Sequence, residues 1–369
     1  MKVCVITTAH PPDDVRINKE IRTILKAGHS VIYIAPQGSF EIDNVDYIPI
    51  SKYTSRMKRF TFGTKEALKK AFAVDADIYH FHDPELINIG IKLKKAGKRV
   101  IYDIHENYPF VILQKAWIPS FLRKTLAKII DIKERKAVSE FDGIVVVVPQ
   151  QLQRFKRVKN IAILPNYPES IVFKRIPENK QNDKLRFVYV GSLDEDRAIT
   201  EMIKAYEILL KKGYEIEFHL AGPIYTERIR LSVKRAMETL SGFHYYGRVP
   251  YTKALEITAS SDVGMLVIHR GKSKEESSPL KMFEYMAFGL PIVASNFSYW
   301  KDILNNPNCA LYVEPESVED IAEKMELLIK DETLRAKLST AGREKTKKYT
   351  WESIENRLFK LYENALKTI

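Results

Sequence analysis

Val3 to Thr7 is a continuous apolar run, and AHPPDDVRINKEIRTILKAGHSVIYIAP after it passes through a polar loop, a helical apolar spacing stopped at Gly28, and a second apolar run. Parallel strands buried on both faces read as unbroken apolar runs, so the pattern predicts strand, loop, helix, strand: the opening of a Rossmann-like unit. Asp77 to Phe81, Lys98 to Ile104, Gly143 to Val148 and Ile161 to Leu164 read as further strands. The stretch from Pro165 to Lys184, PNYPESIVFKRIPENKQNDK, is rich in proline and polar residues and lacks periodicity, as a linker does. LRFVYVGSLDEDRAITEMIKAYEILLKKG then starts the same architecture again. Strands follow at Glu215 to Ala221, Phe243 to Tyr245, Asp262 to Ile268 and Pro291 to Ser295, then helices at about 317–330 and 331–348. Thr350-Trp351-Glu352 caps a last amphipathic helix running to Lys367, with Trp351 and Tyr362 as its anchors. The division expected is 1–165, a linker at 166–184, 185–348, and a C-terminal helix at 349–369.

A chain of 369 residues exceeds one ordinary core, which agrees with two domains. No stretch reaches about 18 uninterrupted apolar residues, so no membrane span is expected. The opening MKVCVITTAH reads as a buried strand rather than a signal peptide, and Cys4 and Cys309 form no disulfide or metal spacing; a reducing cytoplasm is the expected setting. Charge changes the picture more. Residues 1–165 hold 28 Lys+Arg against 17 Asp+Glu, or +11 of the total +12, leaving 31 against 30 in the rest. A basic half implies an anionic partner: a membrane surface, a phosphorylated acceptor or nucleic acid. From Lys115 to Ala137 basic residues interleave with Trp117, Phe121, Leu122, Leu126, Ile129 and Ile130. Such a helix suits an anionic bilayer or a core contact with a solvated basic face, and Lys52 to Phe60 adds a second basic, aromatic-bearing patch. No nucleic-acid-binding module is visible.

The chemistry concentrates in ESSPLKMFE, Glu276 to Glu284. Ser278 is a good N-cap, Pro279 suits the first helical position, and the open N–H groups of the helix that follows favour an anion. Lys281 adds a cation in the first turn, and Glu284 lies one turn on along the same face. Carboxylates accept paired hydrogen bonds from vicinal hydroxyls, so Glu276 before the helix and Glu284 inside it can flank a phosphate with two sugars. A nucleotide sugar fits that description; a solvated Lys281–Glu284 pair on an ordinary capped helix fits the local pattern too.

Two glutamates with seven residues between them, Ser-Pro-x-Lys among these, and YMAFGLPIVAS after, resemble the motif of the retaining GT-B glycosyltransferases of family four, the glycosyl transferases group 1. The resemblance implies an α/β, GT-B fold: two Rossmann-like domains with parallel sheets facing across a central cleft, and a final helix, 349–369, that returns toward the first domain. It implies that Glu284 holds the nucleotide ribose, Lys281 with Ser278 the diphosphate, and Glu276 the transferred sugar near its reacting carbon. The family places a basic pair after Gly191; here Ser192 stands where an arginine is frequent, and Arg197 matches the second cation. The Tyr246-Gly247-Arg248-Val249 loop falls where the family packs its nucleobase. A histidine after the strand ending at Ile104 is common near the donor sugar, which singles out His105, while His82 and Asp83 are candidate acceptor contacts. The first loop carries His10, Pro11 and Pro12 in place of glycines; it excludes a dinucleotide fingerprint, and leaves Arg16 as either an acceptor-side contact or a surface residue. Asp75-Ala76-Asp77 precedes a strand and Asp194-Glu195-Asp196 heads a helix, so both read as structural, and no metal or other cofactor is expected. The implied partners are a nucleotide sugar, a glycan or lipid-linked acceptor of a bacterial cell-surface pathway, and an anionic membrane at the inner face. A sugar-nucleotide epimerase or hydrolase shares this architecture, and a basic nucleic-acid-binding protein is the rival of another class.

Overall fold

The computed structural model describes residues 1–115, 118–171, 182–305 and 308–367. Two compact units emerge: Met1–Asn166 with Glu352–Ile369, and Tyr167–Trp351. The first unit holds β1 (Lys2–Ile6), β2 (Ser30–Pro36), β3 (Val45–Ile50), β4 (Ile78–Phe81), β5 (Val100–Ile104), β6 (Gly143–Val146) and β7 (Ile161–Ile163). They form one parallel sheet in the order β3-β2-β1-β4-β5-β6-β7. The second unit holds β8 (Leu185–Val190), β9 (Ile216–Ala221), β10 (Phe243–Tyr245), β11 (Val263–Leu266), β12 (Ile292–Ser295) and β13 (Ala310–Val313), also parallel, ordered β10-β9-β8-β11-β12-β13. Each is the Rossmann-like sheet expected of GT-B, with central strands buried on both faces by helices.

The unit boundaries correct the expected ones. The second unit begins at Tyr167, not after the linker, because the Tyr167 ring packs edge-on against Phe283 at 4.8 Å and Tyr349 at 5.2 Å. Of the expected linker, residues 172–181 lie outside the described ones, as does Trp117. At the other end the second unit runs through Trp351, whose N–H donates to the Pro168 carbonyl at 2.8 Å. The last helix, Asn356–Lys367, joins the first unit, as the resemblance implied. Tyr362 is buried there with its hydroxyl 2.7 Å from His80 Nδ1, and the Asn160 side chain donates to the Leu361 carbonyl. Among the described residues, no helix is long and apolar enough to cross a membrane.

Candidate active site

In open parallel sheets ligands collect beyond the carboxyl ends of the strands, where the strand order reverses. In the second unit that point lies between β8 and β11. Backbone approaches there are close. Gly222, after β9, has φ +142° and lies against the Gly191 carbonyl; a Cβ at 222 would fall 1.7 Å from that oxygen. Gly191, after β8, has φ +144°, and a Cβ there would fall 2.5 Å from Lys281 Nζ. The Lys281 ammonium therefore rests in the space that glycine leaves, 3.8 Å from the centre of the Tyr189 ring.

The helix carrying Lys281, Leu280–Ala287, is seated by its own buried face. Tyr285 presses onto Gly264 of β11 so tightly that a Cβ would fall 2.4 Å from the ring. The loop before the helix is pinned by Trp300, whose indole N–H donates to the Ser277 carbonyl at 2.7 Å. Pro279, not Ser278, occupies the N-cap position, and no side chain caps the helix. The expected Ser278 cap is thus corrected, and the first amides of the helix are left without a side-chain cap.

Electrostatics mark this mouth as an anion site. Burial holds the Lys281 ammonium well below its ordinary pKa and the neighbouring Arg197 charge lowers it further, against the opposing pull of Glu284 and Asp194. Lys281 makes no hydrogen bond or ion pair with any described residue. Arg197 Nε is buried without a hydrogen-bond partner, 3.8 Å from Asp194 Oδ2. Two cations thus converge with no carboxylate in hydrogen-bond contact. Ser192 contributes a carbonyl that accepts from the Tyr189 hydroxyl at 3.0 Å, which fixes the β8 loop. Glu276 ends the short helix Lys272–Glu275, half-buried, its carboxylate unengaged by the described residues. Glu284 is buried and accepts from the Tyr251 hydroxyl at 2.6 Å, two residues beyond half-buried Val249. Two clasps escaped sequence reading: Lys274 to Asp196 at 2.7 Å, and His269 to Glu201 at 3.3 Å, joining the loops after β8 and β11. Asp194 accepts from the Asp196 N–H, and Asp77 from the Lys2 N–H, so both Asp-x-Asp strings serve local structure.

In the first unit the order reverses between β1 and β4. Asp83 is buried and gathers the loop after β1: it accepts from Thr8 N at 2.5 Å, Thr7 Oγ1 at 2.8 Å and Ala9 N at 3.0 Å. His10 bridges Asp14 at 3.1 Å and Asp83 at 3.4 Å. Burial opposes its charge, but the hydrogen bond to Asp14 and the charges of Asp83 and Asp103 raise its pKa to about 9. His105 lies beside it, ring centres 4.9 Å apart, with Nε2 3.1 Å from His82 Nδ1.

Three acceptor-side expectations change here. Arg16 faces inward: its guanidinium grips Asp103 at 2.9 to 3.2 Å and donates to the Leu164 carbonyl at 2.9 Å. With Asp103 fully buried and Arg16 itself 6% exposed, this is a core ion pair rather than an acceptor contact. His82 is fully buried and reaches the surface only through His105, and Asp83 is consumed by the loop it organises. His105 keeps an exposed edge, and His10 joins it as the cation that sequence reasoning left unassigned. The signal for His10 was the Asp14 N-cap four residues on, which accepts from the Arg16 and Ile17 amides.

With this geometry in place, comparison with known proteins finds glycosyltransferases as relatives. Residues 171–345 match the model of the glycosyl transferases group 1. The match covers just under half of the chain, all of it in the second unit. An uncharacterized glycosyltransferase of Haemophilus influenzae is 23% identical over 90% of this chain and 90% of its own length. A phosphatidyl-myo-inositol mannosyltransferase of Mycolicibacterium smegmatis is 23% identical over 92% and 86%. Among solved structures, sucrose-phosphate synthase of Thermosynechococcus elongatus superposes with a TM-score of 0.76 at 17% identity, covering 98% of each chain, which shows a shared fold.

Proposed function

We propose that this protein is a retaining group 1 glycosyltransferase that moves a sugar from a nucleotide-diphosphate donor to a hydroxyl acceptor without a metal ion. One observation carries the reading: Lys281 and Arg197 meet at the β8/β11 reversal without a carboxylate in hydrogen-bond contact, beside open helix amides. Burying an unpaired ammonium is unfavourable, so the arrangement makes sense as one half of a pair completed by a diphosphate. Preorganised positive charge of this kind stabilises a departing diphosphate and takes the role a cation would otherwise fill. Glu284 binds the nucleotide ribose, Val249 lies against the base, and Glu276, whose carboxylate is unengaged, orients the transferred sugar.

In the step itself the bond from the anomeric carbon to the phosphate oxygen breaks, its electron pair staying on the phosphate. The acceptor oxygen bonds to the same face of the oxocarbenium-like sugar. Its proton passes to the departing phosphate, so no protein base is required, and His105 lines the acceptor side. The name of the mycobacterial relative and the +11 charge of residues 1–165 support a lipid-linked acceptor at the cytoplasmic face of a membrane.

The test is Glu276→Gln, with sugar transfer and binding of the nucleoside diphosphate measured side by side. Turnover should fall at least 100-fold with binding within about 3-fold of the parent. An unchanged rate removes Glu276 from the site, and nucleotide release that needs no acceptor replaces transfer with hydrolysis.

A further inference from the structure

The first unit holds a cavity of about 550 Å³ away from its charged loops, within the ~300–1,000 Å³ range of small-molecule sites. One wall is the turn Arg59–Gly63 and the helix Thr64–Ala73, through Phe60 and Leu68; the other is the helix Ser120–Val138, through Ile130. The polar residues around it turn their polarity elsewhere. Thr61 and Thr64 donate to the Met57 and Phe60 carbonyls, Glu85 is taken by Arg59 and Thr8, and Glu134 by Arg154 and Tyr102. What remains is an apolar interior.

Its surroundings say what enters. Beyond one wall Met57 and Phe62 are 77% and 57% exposed; beyond the other, Leu122, Leu126 and Ile129 form an exposed stripe at helical spacing. Lys65, Lys92 and Lys133 stand exposed among the lining residues and have no ion-pair partner among the described residues. An apolar cavity with apolar shoulders and three unpaired ammonium groups complements a hydrocarbon chain with an anionic head. Glu85 and Tyr108, also among the lining residues, are two and three residues past Asp83 and His105.

We infer that this cavity binds the hydrocarbon chain of an anionic, membrane-derived acceptor lipid, with the head group held at Lys65, Lys92 and Lys133. The inference rests on the transferase reading for the word acceptor, while the cavity stands on its own geometry. The direct probe is a series of alkyl phosphates below their micelle concentration, titrated into the whole protein and followed by displacement of a fluorescent polyene fatty acid. Dodecyl phosphate should bind saturably at one site. Each methylene removed should weaken it about 4-fold, so decyl phosphate should bind about 15-fold more weakly. Dodecyltrimethylammonium should bind at least 10-fold more weakly, and inorganic phosphate should not compete. Leu68→Trp and Ile130→Trp fill the cavity from opposite walls, and each should lower dodecyl phosphate affinity at least 10-fold without altering nucleoside diphosphate affinity or the far-ultraviolet dichroism. No saturable binding, affinity indifferent to chain length, or affinity kept in both filled variants would overturn the inference. Alkyl phosphate binding in a protein that binds no nucleoside diphosphate would leave the lipid site standing and remove the transferase reading instead.

Discussion

Replacing Lys281 by methionine should make the protein more stable and less able to hold a diphosphate, and both effects follow from one geometry. The ammonium is desolvated beside Arg197 with no counter-ion in contact; removing such an unsatisfied charged group recovers about 1–3 kcal/mol. Against this, the contact with Tyr189 at 3.8 Å is lost, worth about 0.5–1 kcal/mol. Methionine keeps the length and fills the space, so the net gain should be about 0–2.5 kcal/mol. The second unit spans Tyr167–Trp351, and 351 − 167 + 1 is 185 residues. At ~2–4 °C per kcal/mol for that size, its melting temperature should rise by up to about 10 °C without ligand. A charge-assisted contact to phosphate contributes about 1.5–3 kcal/mol, so nucleoside diphosphate affinity should fall about 10- to 150-fold. The free nucleoside should be affected less than about 2-fold. Because burial depresses the Lys281 pKa and a bound diphosphate would restore it, binding to the parent protein should take up protons at high pH, and binding to the variant should not. Scanning calorimetry and titration calorimetry in two buffers of different ionisation enthalpy measure all three. A lower melting temperature, or equal losses for nucleoside and diphosphate, would refute the reasoning.

Gly222→Ala should be severely destabilising, by about 4 kcal/mol or more, because its Cβ would overlap the Gly191 carbonyl in a backbone region that favours glycine; a urea melt of near-parental midpoint would contradict this. Arg16→Met leaves Asp103 buried without its guanidinium, with His82 and His105 as its remaining partners, so the first unit should lose about 3–5 kcal/mol while nucleotide affinity holds; a stable variant with impaired acceptor use would return Arg16 to the acceptor site. His10 has a folded pKa raised to about 9, so its charge stabilises the fold fully below about pH 6.5, and the contribution disappears as pH rises through 9. His10→Gln should therefore flatten the stability-versus-pH curve between those limits, and urea midpoints at pH 6 and pH 9.5 that still differ as in the parent would count against the Asp14–His10–Asp83 arrangement.

The sheet strands were legible where both faces are buried, since β1, β4, β5, β8 and β12 are nearly uninterrupted apolar runs. β3 was not, because an edge strand with one wet face admits Asp46 and Pro49 and loses that signature. The Glu276 to Glu284 stretch announced a helix mouth through local spacing, which is the kind of information a sequence carries. The seat of the loop before that helix depended on Trp300, 23 positions from Ser277, and the destiny of Arg16 on Asp103, 87 positions away. The same limit hid Tyr189 under Lys281 and Tyr251 against Glu284, since those partners arrive from other strands and loops. The apolar cavity was half legible: the basic, aromatic segments at 52–60 and 115–137 were visible, but not that their helices stand apart around a space.

The central claim is that the β8/β11 reversal holds the diphosphate of a nucleotide. It is tested most directly by titrating the parent protein with uridine, guanosine, thymidine and adenosine diphosphates and with the matching nucleosides. At least one diphosphate should bind in the micromolar range with its nucleoside at least 10-fold weaker; no binding by any of them, or nucleosides binding as tightly as diphosphates, would contradict the account.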